Sequence, residues 1–380
     1  MKIRYKATLI MLGAILIVSI ASGYAYYKMN LNLIHEGMQK NLQTVLATIQ
    51  ANIEFKSSQA ESLASLVVNQ PEIQQAVKER NREKLIQIIT PALDIQKEKY
   101  GEVDAQFHLP GAISFLRVYK PKIWGDDLST TRELVLISQT QRRPLKGVEI
   151  STTGVSIKGI AVMEDKQGFI GTFEVGESFQ SVLENVKQIT GFETAAFVNH
   201  ALMTQIATAA PPAEKDRIIG GYQNIFATNW TVFQEIITPQ MMNEVNESIV
   251  KTEEVNGQFD GIVILPLLDF NGKNIGSMWA VGDFSKYQQA LRTNTIVSIA
   301  ITLLQAVILS AIVLIIFNAL YFLPIDHIVT CSEQINEGKT TQVESELARW
   351  MNRKDEIGSL ANTIQKLNQK IRGQHSDQSK

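Results

Sequence analysis

Cysteine occurs once in the 380-residue chain, at Cys331. A single thiol excludes an internal disulfide and a thiolate-rich metal site, so any exported domain must be held by its core. Histidine is nearly as scarce. His35, His108, His200, His327 and His375 are scattered without ligand spacing, so no metal site and no cofactor is expected. A basic surplus is also missing: 36 Lys and Arg stand against 38 Asp and Glu, for a net charge of -2. No basic stripe is present, which argues against nucleic acid as a partner. There is no Gly-x-Ser-x-Gly elbow and no nucleophile–base constellation, and Glu253, Glu254 and Asp283 read as solvated edges, so an enzyme is not expected.

Charge is absent altogether from two stretches. The first runs from Ala7 to Tyr27, follows Lys2, Arg4 and Lys6, and meets no charge until Lys28; the second runs from Thr293 to Leu323. Each is long enough to cross a bilayer as a helix. Ala21-Ser22-Gly23-Tyr24-Ala25 offers small residues for a signal peptidase, and a cleaved leader is the alternative to an anchor. The anchor is preferred because the run is longer than a signal core and continues into a helical pattern. Basic residues at the N-terminus place residues 1–6 in the cytoplasm, residues 28–292 outside and the tail after Leu323 inside. The membrane is thus an expected partner, crossed at 7–27 and 293–323.

Between the spans, Leu31, Ile34, Met38, Val45 and Ile49 recur at steps that mark one helical face, continuing less regularly through Ile53, Leu63, Leu66 and Val67 to a break at Pro71. A second helix is expected over Glu72 to Tyr100. From Phe107 the pattern turns to strands, at Phe115 to Tyr119, Val155 to Met163 and Gly168 to Val175. Thr130 and Glu133 have the spacing of a capping box, predicting a helix from Thr130 to Gln141. The segment Asp165 to Glu177 is echoed by Asp269 to Asp283: a polar turn, then Ile-Gly and a small hydroxyl residue, then a strand closed by Val-Gly-acid. Such an echo predicts two hairpins of one type, each followed by a helix, at Phe179 to Thr190 and from Tyr287 into the second span. The copies differ by one residue, which a bulge could absorb.

His108-Leu109-Pro110, Ser114-Phe115-Leu116-Arg117, Pro121, Gly125-Asp126-Asp127-Leu128-Ser129 and Arg132 resemble the membrane-distal module of double Cache sensors attached to histidine kinases and methyl-accepting chemotaxis proteins. The resemblance implies an α+β fold: tandem PAS-like modules on a long helix, with a helical lead-in at 28–106, a distal module at 107–192 and a proximal module at 193–292. It also implies a bacterial inner-membrane location and a small ligand such as an amino acid, carboxylate or amine. Within the distal module, Arg117, Tyr119, Lys120, Trp124, Asp126, Asp127 and Arg132 concentrate charge and aromatic surface. A guanidinium can grip a carboxylate, an aromatic can wall a pocket and an aspartate can anchor an amine. The plainer reading is that Asp126 and Asp127 shape a turn and the arginines pair with them, with Tyr119 and Trp124 in the core. Trp230, Phe233 and Trp279 read as core of the proximal module.

After the second span come Pro324 and then Ile325, Ile328 and Ile335 at heptad steps, with Ser332 in the fourth slot; Ile357, Leu360, Ile364, Leu367 and Ile371 alternate by three and four. Asp355-Glu356-Ile357-Gly358 heads the second run. Residues 324–372 resemble a HAMP relay of two helices and a non-helical connector, which implies a homodimer, with Pro324, Asp355, Glu356 and Gly358 as relay residues. The connector, Gly338 to Lys354, is long, and Leu347, Trp350 and Met351 have no clear slot in it. Residues 373–380 form a polar tail, with no ATP-binding glycine motif, phospho-accepting His or long methylated coiled coil. The expectation is a receptor that is truncated or pairs with a separate cytoplasmic partner. Against a solute receptor stands a scaffold or co-receptor that recognises a periplasmic protein.

Overall fold

The computed structural model describes residues 3–100, 103–242, 245–337 and 339–377. The expectations at Lys2, Gly338 and 378–380 lie outside the described residues. The chain divides into two bodies, Ile34–Gln289 and Met1–Leu33 with Ala290–Lys380.

The first body is built on the helix α1 (Ile3–Val68), which buries Met38, Leu42, Val45 and Ile49 on the face marked by their spacing. Farther along, the buried side chains shrink to Ala60 and Ala64, because α1 there crosses the sheet at Gly159. A methyl group on Gly159 would overlap the backbone of Ala60 and Glu61. The second expected helix is two, α2 (Pro71–Lys78) and α3 (Arg82–Tyr100). Arg80 breaks them with a φ of 57°, and Asn81 Oδ1 accepts from the Lys84 N–H.

The distal module has strands β1 (Val103–Leu109), β2 (Ile113–Arg117), β3 (Leu145–Ser151), β4 (Gly154–Asp165) and β5 (Gly168–Glu177), with α4 (Glu133–Gln141) between β2 and β3. β1 begins inside the expected lead-in, and β3 was not among the expected strands. After α5 (Phe179–Thr190), whose Ser178 cap accepts from the Gln180 N–H, the proximal module follows. It comprises β6 (Glu193–Asn199), α6 (His200–Ile206), β7 (Ile218–Ile219), β8 (Tyr222–Ala227), α7 (Trp230–Ile236), β9 (Ile249–Val255), β10 (Gln258–Leu268) and β11 (Asn274–Asp283). The sheets run β2-β1-β5-β4-β3 and β7-β8-β6-β11-β10-β9, so apart from the short β7 they share one strand order.

The echoed segments are equivalent hairpins. In both, the ladder skips one residue at the Ile-Gly step: Met163 pairs with Gly171 and Glu164 with Phe169, while Leu267 pairs with Gly276 and Leu268 with Asn274. Ile170 and Ile275 are therefore the bulged residues. Gly171 and Gly276 lie against the carbonyls of His108 and Phe197, where a Cβ would overlap the neighbouring strand. The bulge is shared and does not absorb the one-residue difference. Counted from it, Glu174 takes the place of Trp279, and the two Val-Gly-acid endings fall out of step.

The predicted capping box does not form. α4 starts at Glu133, no side chain of its own segment caps it, and the Leu134 N–H donates 3.1 Å to Glu149 Oε1 on β3. A tertiary carboxylate replaces the local cap.

In the second body, α1 and α8 (Ser285–Phe317) both contain stretches long and apolar enough to cross a membrane. Polar side chains join them: Ser22 Oγ donates to Gln305 Oε1 at 3.1 Å and Asn294 Nδ2 to the Tyr27 carbonyl at 3.3 Å. A π-helical turn (Asn318–Phe322) then leads into α9 (Leu323–Asn336). Pro324 cannot donate to the preceding turn and crowds its carbonyl, and a widened turn relieves both. The connector is not non-helical as expected. α10 (Thr340–Met351) fills it and packs Val343, Leu347 and Trp350 against Ile328, Cys331 and Ile335 of α9 and Ile357 and Ala361 of α11 (Glu356–Asp377). Cys331, not Ser332, takes the buried slot, and Ile325, Leu360 and Leu367 are exposed. Asp355 caps α11 by accepting from the Gly358 N–H at 3.1 Å and pairs with Arg353 at 2.5 Å. Glu356 opens the first turn, where a negative charge suits the helix dipole. A Cβ on Gly358 would overlap the Arg353 carbonyl.

Candidate ligand site

Side chains alternate across a strand, and in the distal sheet the alternation separates two chemistries. One face carries Ala105, Phe107, Ala161, Met163, Phe173 and Val175 and packs on α1, α2 and α3. The other carries Asp104, Gln106 and His108 on β1, Ser114 on β2, Lys158 on β4, and Thr172 and Glu174 on β5, as the pairing register requires. Most of this polar face is buried beneath α4 and the segment before it. Gln139 of α4 donates to Thr172 Oγ1 at 3.1 Å and to the Leu109 carbonyl at 3.0 Å.

Arg132 drops into this face. It lies 2.8 Å from Glu149 and 2.5 Å from Glu174, with all three side chains 5% exposed or less. Burial alone would lower the guanidinium's affinity for its proton, but the two carboxylates outweigh it and hold Arg132 above its ordinary range. Burial would raise Glu174, yet Arg132 and then Lys158 hold it well below the usual carboxylate range. Glu149 is pushed up, first by burial and then by the charge of Glu174, against the pull of Arg132. His108, fully buried beside them with Nδ1 3.2 Å from Thr172 Oγ1, is held down to about 3, chiefly by burial. It is a neutral imidazole.

The remaining predicted residues lie along the loop after β2. Arg117 grips Asp126 with two contacts of 2.8 and 2.7 Å, and Asp126 is held below its ordinary range chiefly by that bond. Asp127 is exposed and turns the loop by accepting from the Ser129 N–H at 2.8 Å. Trp124 is 57% exposed and lies under the Arg82 guanidinium, 4.4 Å from ring centroid to Cζ, so it is neither core nor pocket wall. Tyr119 packs on the apolar core, and Lys120 is exposed. Arg117 and Asp126 thus pair with each other and Asp127 shapes the turn, whereas Arg132 goes to a buried cluster. Its partners Glu149 and Glu174, and Lys158 beyond Glu174, were not among the predicted residues. Their signal was polar residues at every second position within apolar strands.

Tyr119 and Lys120 do meet a cavity of about 260 Å³ at one end of the polar face, lined also by Lys97, Asp104, Lys158 and Glu177. Two buried polar atoms there, the Tyr119 hydroxyl and Glu177 Oε1, lack a hydrogen-bond partner among the described residues. The other Glu177 oxygen lies 2.8 Å from Lys56 of α1. Burial, then Asp94 and Asp104, push the Tyr119 phenol above its ordinary range, so it remains a donor. A larger cleft of about 370 Å³ lies between the modules, lined by Ser129, Thr130, Glu149, Leu202, Asp269 and others. Its buried carboxylate, Glu149, already has both oxygens in hydrogen bonds.

Two like antiparallel modules on one helical stem, with a buried polar face in the first, make a tandem α+β region. Residues 35–216 match the model of the family described as the double sensory domain of two-component sensor kinase. No curated protein matches the chain. Among solved structures, the sensory domain of the Campylobacter jejuni chemoreceptor Tlp3 with isoleucine bound is similar at 12% identity and a TM-score of 0.42, over 69% of this chain and 97% of that one. An extracellular domain attributed to the histidine kinase vpHK1S-Z8 aligns at 11% identity and 0.42, over 68% and 95%. The periplasmic domain of Vibrio cholerae LuxQ aligns at 10% identity and 0.30, over 66% and 98%.

Proposed function

We propose that the chain is a two-pass inner-membrane receptor that binds a small polar solute in its distal module, outside the cytoplasm, and passes a conformational change to a HAMP-like relay. One observation carries this reading. Glu177 lines a cavity, is bonded to the stem helix through Lys56 by one oxygen, and has its other oxygen buried without a hydrogen-bond partner among the described residues. A solute that bonds to Glu177 therefore acts on the residue that ties the sheet to α1. Binding biases a conformation only through contacts that differ between two states, and this carboxylate supplies such a contact.

The relay reading draws support from the capped start of α11 and from Leu360 and Leu367, which are seven residues apart and 44% and 49% exposed. Apolar side chains at that interval suit a second copy of the chain packed in parallel, and a homodimer belongs to the proposal. Output then passes to a signalling domain or protein on the cytoplasmic side.

Isothermal titration of the full chain in detergent micelles against amino acids, organic acids and amines tests the first step. Saturable heat that is lost on Glu177→Gln supports solute sensing at this cavity. Folded protein that binds none of them would transfer the role to recognition of a periplasmic protein.

A further inference from the structure

Resting on that reading, we infer that the distal cavity selects small anions bearing two carboxylates, one of which is held by Lys158 and Tyr119. Lys158 carries the argument. Its side chain crosses Gly176, where a Cβ would lie 2.7 Å from Nζ, and it ends 2% exposed. Its anionic neighbours are Glu174 at 3.4 Å and Asp104 at 3.8 Å. A charge-assisted N–H···O contact is shorter, about 2.7–2.9 Å. Glu174 is drawn the other way, to Arg132 at 2.5 Å. Lys158 is thus a buried ammonium at the edge of a cavity whose hydrogen bond to Glu174 and ion pair with Asp104 are both longer than a charge-assisted contact, which leaves a closer contact open to it. An incoming carboxylate makes that contact, and the free Tyr119 hydroxyl is a second donor beside it.

The charge around the cavity points the same way. Among the described residues, Lys97, Lys120 and Lys158 line it with the carboxylates of Asp104 and Glu177, a surplus of one positive charge. A net positive cavity disfavours amines and favours anions. Among the described residues, the purely aliphatic lining side chains are limited to Val155, so a branched aliphatic ligand would bury its side chain against polar groups. A second carboxylate suits Lys97 and Lys120. An α-ammonium, where the ligand has one, suits the free Glu177 oxygen.

The test is calorimetric titration of the full chain in detergent micelles with succinate, L-aspartate, L-glutamate, L-isoleucine and L-lysine. The expected result is binding of one or more of the first three, at least about tenfold tighter than either of the last two, since each tenfold is about 1.4 kcal/mol and one charged hydrogen bond supplies as much. Succinate and the acidic amino acids separate a plain dicarboxylate from an amino one. Lys158→Met should weaken binding by roughly 10- to 100-fold. Because that variant disturbs a buried cluster, the exposed Lys120→Gln is measured alongside it, with an expected loss of about threefold or more. Tighter binding of isoleucine or lysine overturns the inference and leaves the sensor reading standing. Dicarboxylate binding that neither variant changes also overturns it. Folded protein that binds none of the five overturns the inference, and the broader screen above decides the reading beneath it.

Discussion

Acid should weaken the distal module before it touches most carboxylates, and His108 is the reason. The imidazole is 0% exposed, Nε2 has no partner among the described residues, and burial together with the charges of Arg132 and Lys158 outweighs the pull of Glu174 on a proton there. Its pKa falls from an ordinary 6.5 to about 3. Below 6.5 the unfolded chain takes up a proton that the folded chain refuses, so stability is lost as pH falls toward 3. One proton changes stability by about 1.4 kcal/mol per pH unit, which gives roughly 2 kcal/mol between about pH 6.5 and 5. The assay is urea unfolding of the full chain and of His108→Gln at both pH values, followed by hydrogen exchange in β1 and β5. Glutamine keeps a hydrogen bond to Thr172 and removes the titration, so the variant should lose about 2 kcal/mol less on acidification. Equal acid sensitivity of the two proteins within about 0.5 kcal/mol would refute a neutral, buried His108.

Arg132→Met strands Glu149 and Glu174 without their shared cation and should cost about 3–5 kcal/mol in urea unfolding, whereas replacing all three by apolar residues should recover most of it. Gly159→Ala drives a methyl group into the backbone of α1 and should cost about 1–3 kcal/mol or more, with exchange in α1 around Glu61 rising first. Trp279→Ala opens the proximal core, where Trp279 is 0% exposed, and should cost about 3–5 kcal/mol in thermal or urea unfolding while leaving solute affinity in the distal cavity unchanged.

What could be read in advance was whatever repeats locally. The stem helix and α5 declare themselves through spacing and flanking residues, Ser178 and Gly191 closing α5 at either end. The echo identified equivalent hairpins because a bulge needs glycine at the same step in both. β3 escaped notice because Lys146, Gly147 and Glu149 interrupt its apolar run, and Glu149 is there for Arg132. The capping box misled because Thr130 and Glu133 have the right spacing, while the cap itself comes from another strand. The candidate site was legible only in part. Arg117, Asp126 and Trp124 drew attention by crowding, yet they serve the loop. Lys56 and Glu177 meet across a distance in sequence that no local pattern spans.

The equivalence of the hairpins also explains why the two modules differ in the chemistry of one sheet face. Counted from the shared bulge, Glu174 and Trp279 are the same position on the same face of two like sheets. In the proximal module the indole fills that face, together with Phe197 and Phe233, and its N–H is satisfied by Ser277 at 2.9 Å. In the distal module a carboxylate stands there, and charge must be balanced by Arg132 and Lys158. Glu174 cannot satisfy both cations at short range, and the shortfall falls on Lys158, at the cavity. The contacts of the stem with the distal module include the close crossing at Gly159, the pairing of Lys146 with Glu54 and the Lys56–Glu177 pair beside that cavity. The crossing is tightly packed and cannot yield. The Lys56–Glu177 pair can exchange partners, and on the proposed reading it is the contact through which occupancy would reach the helix.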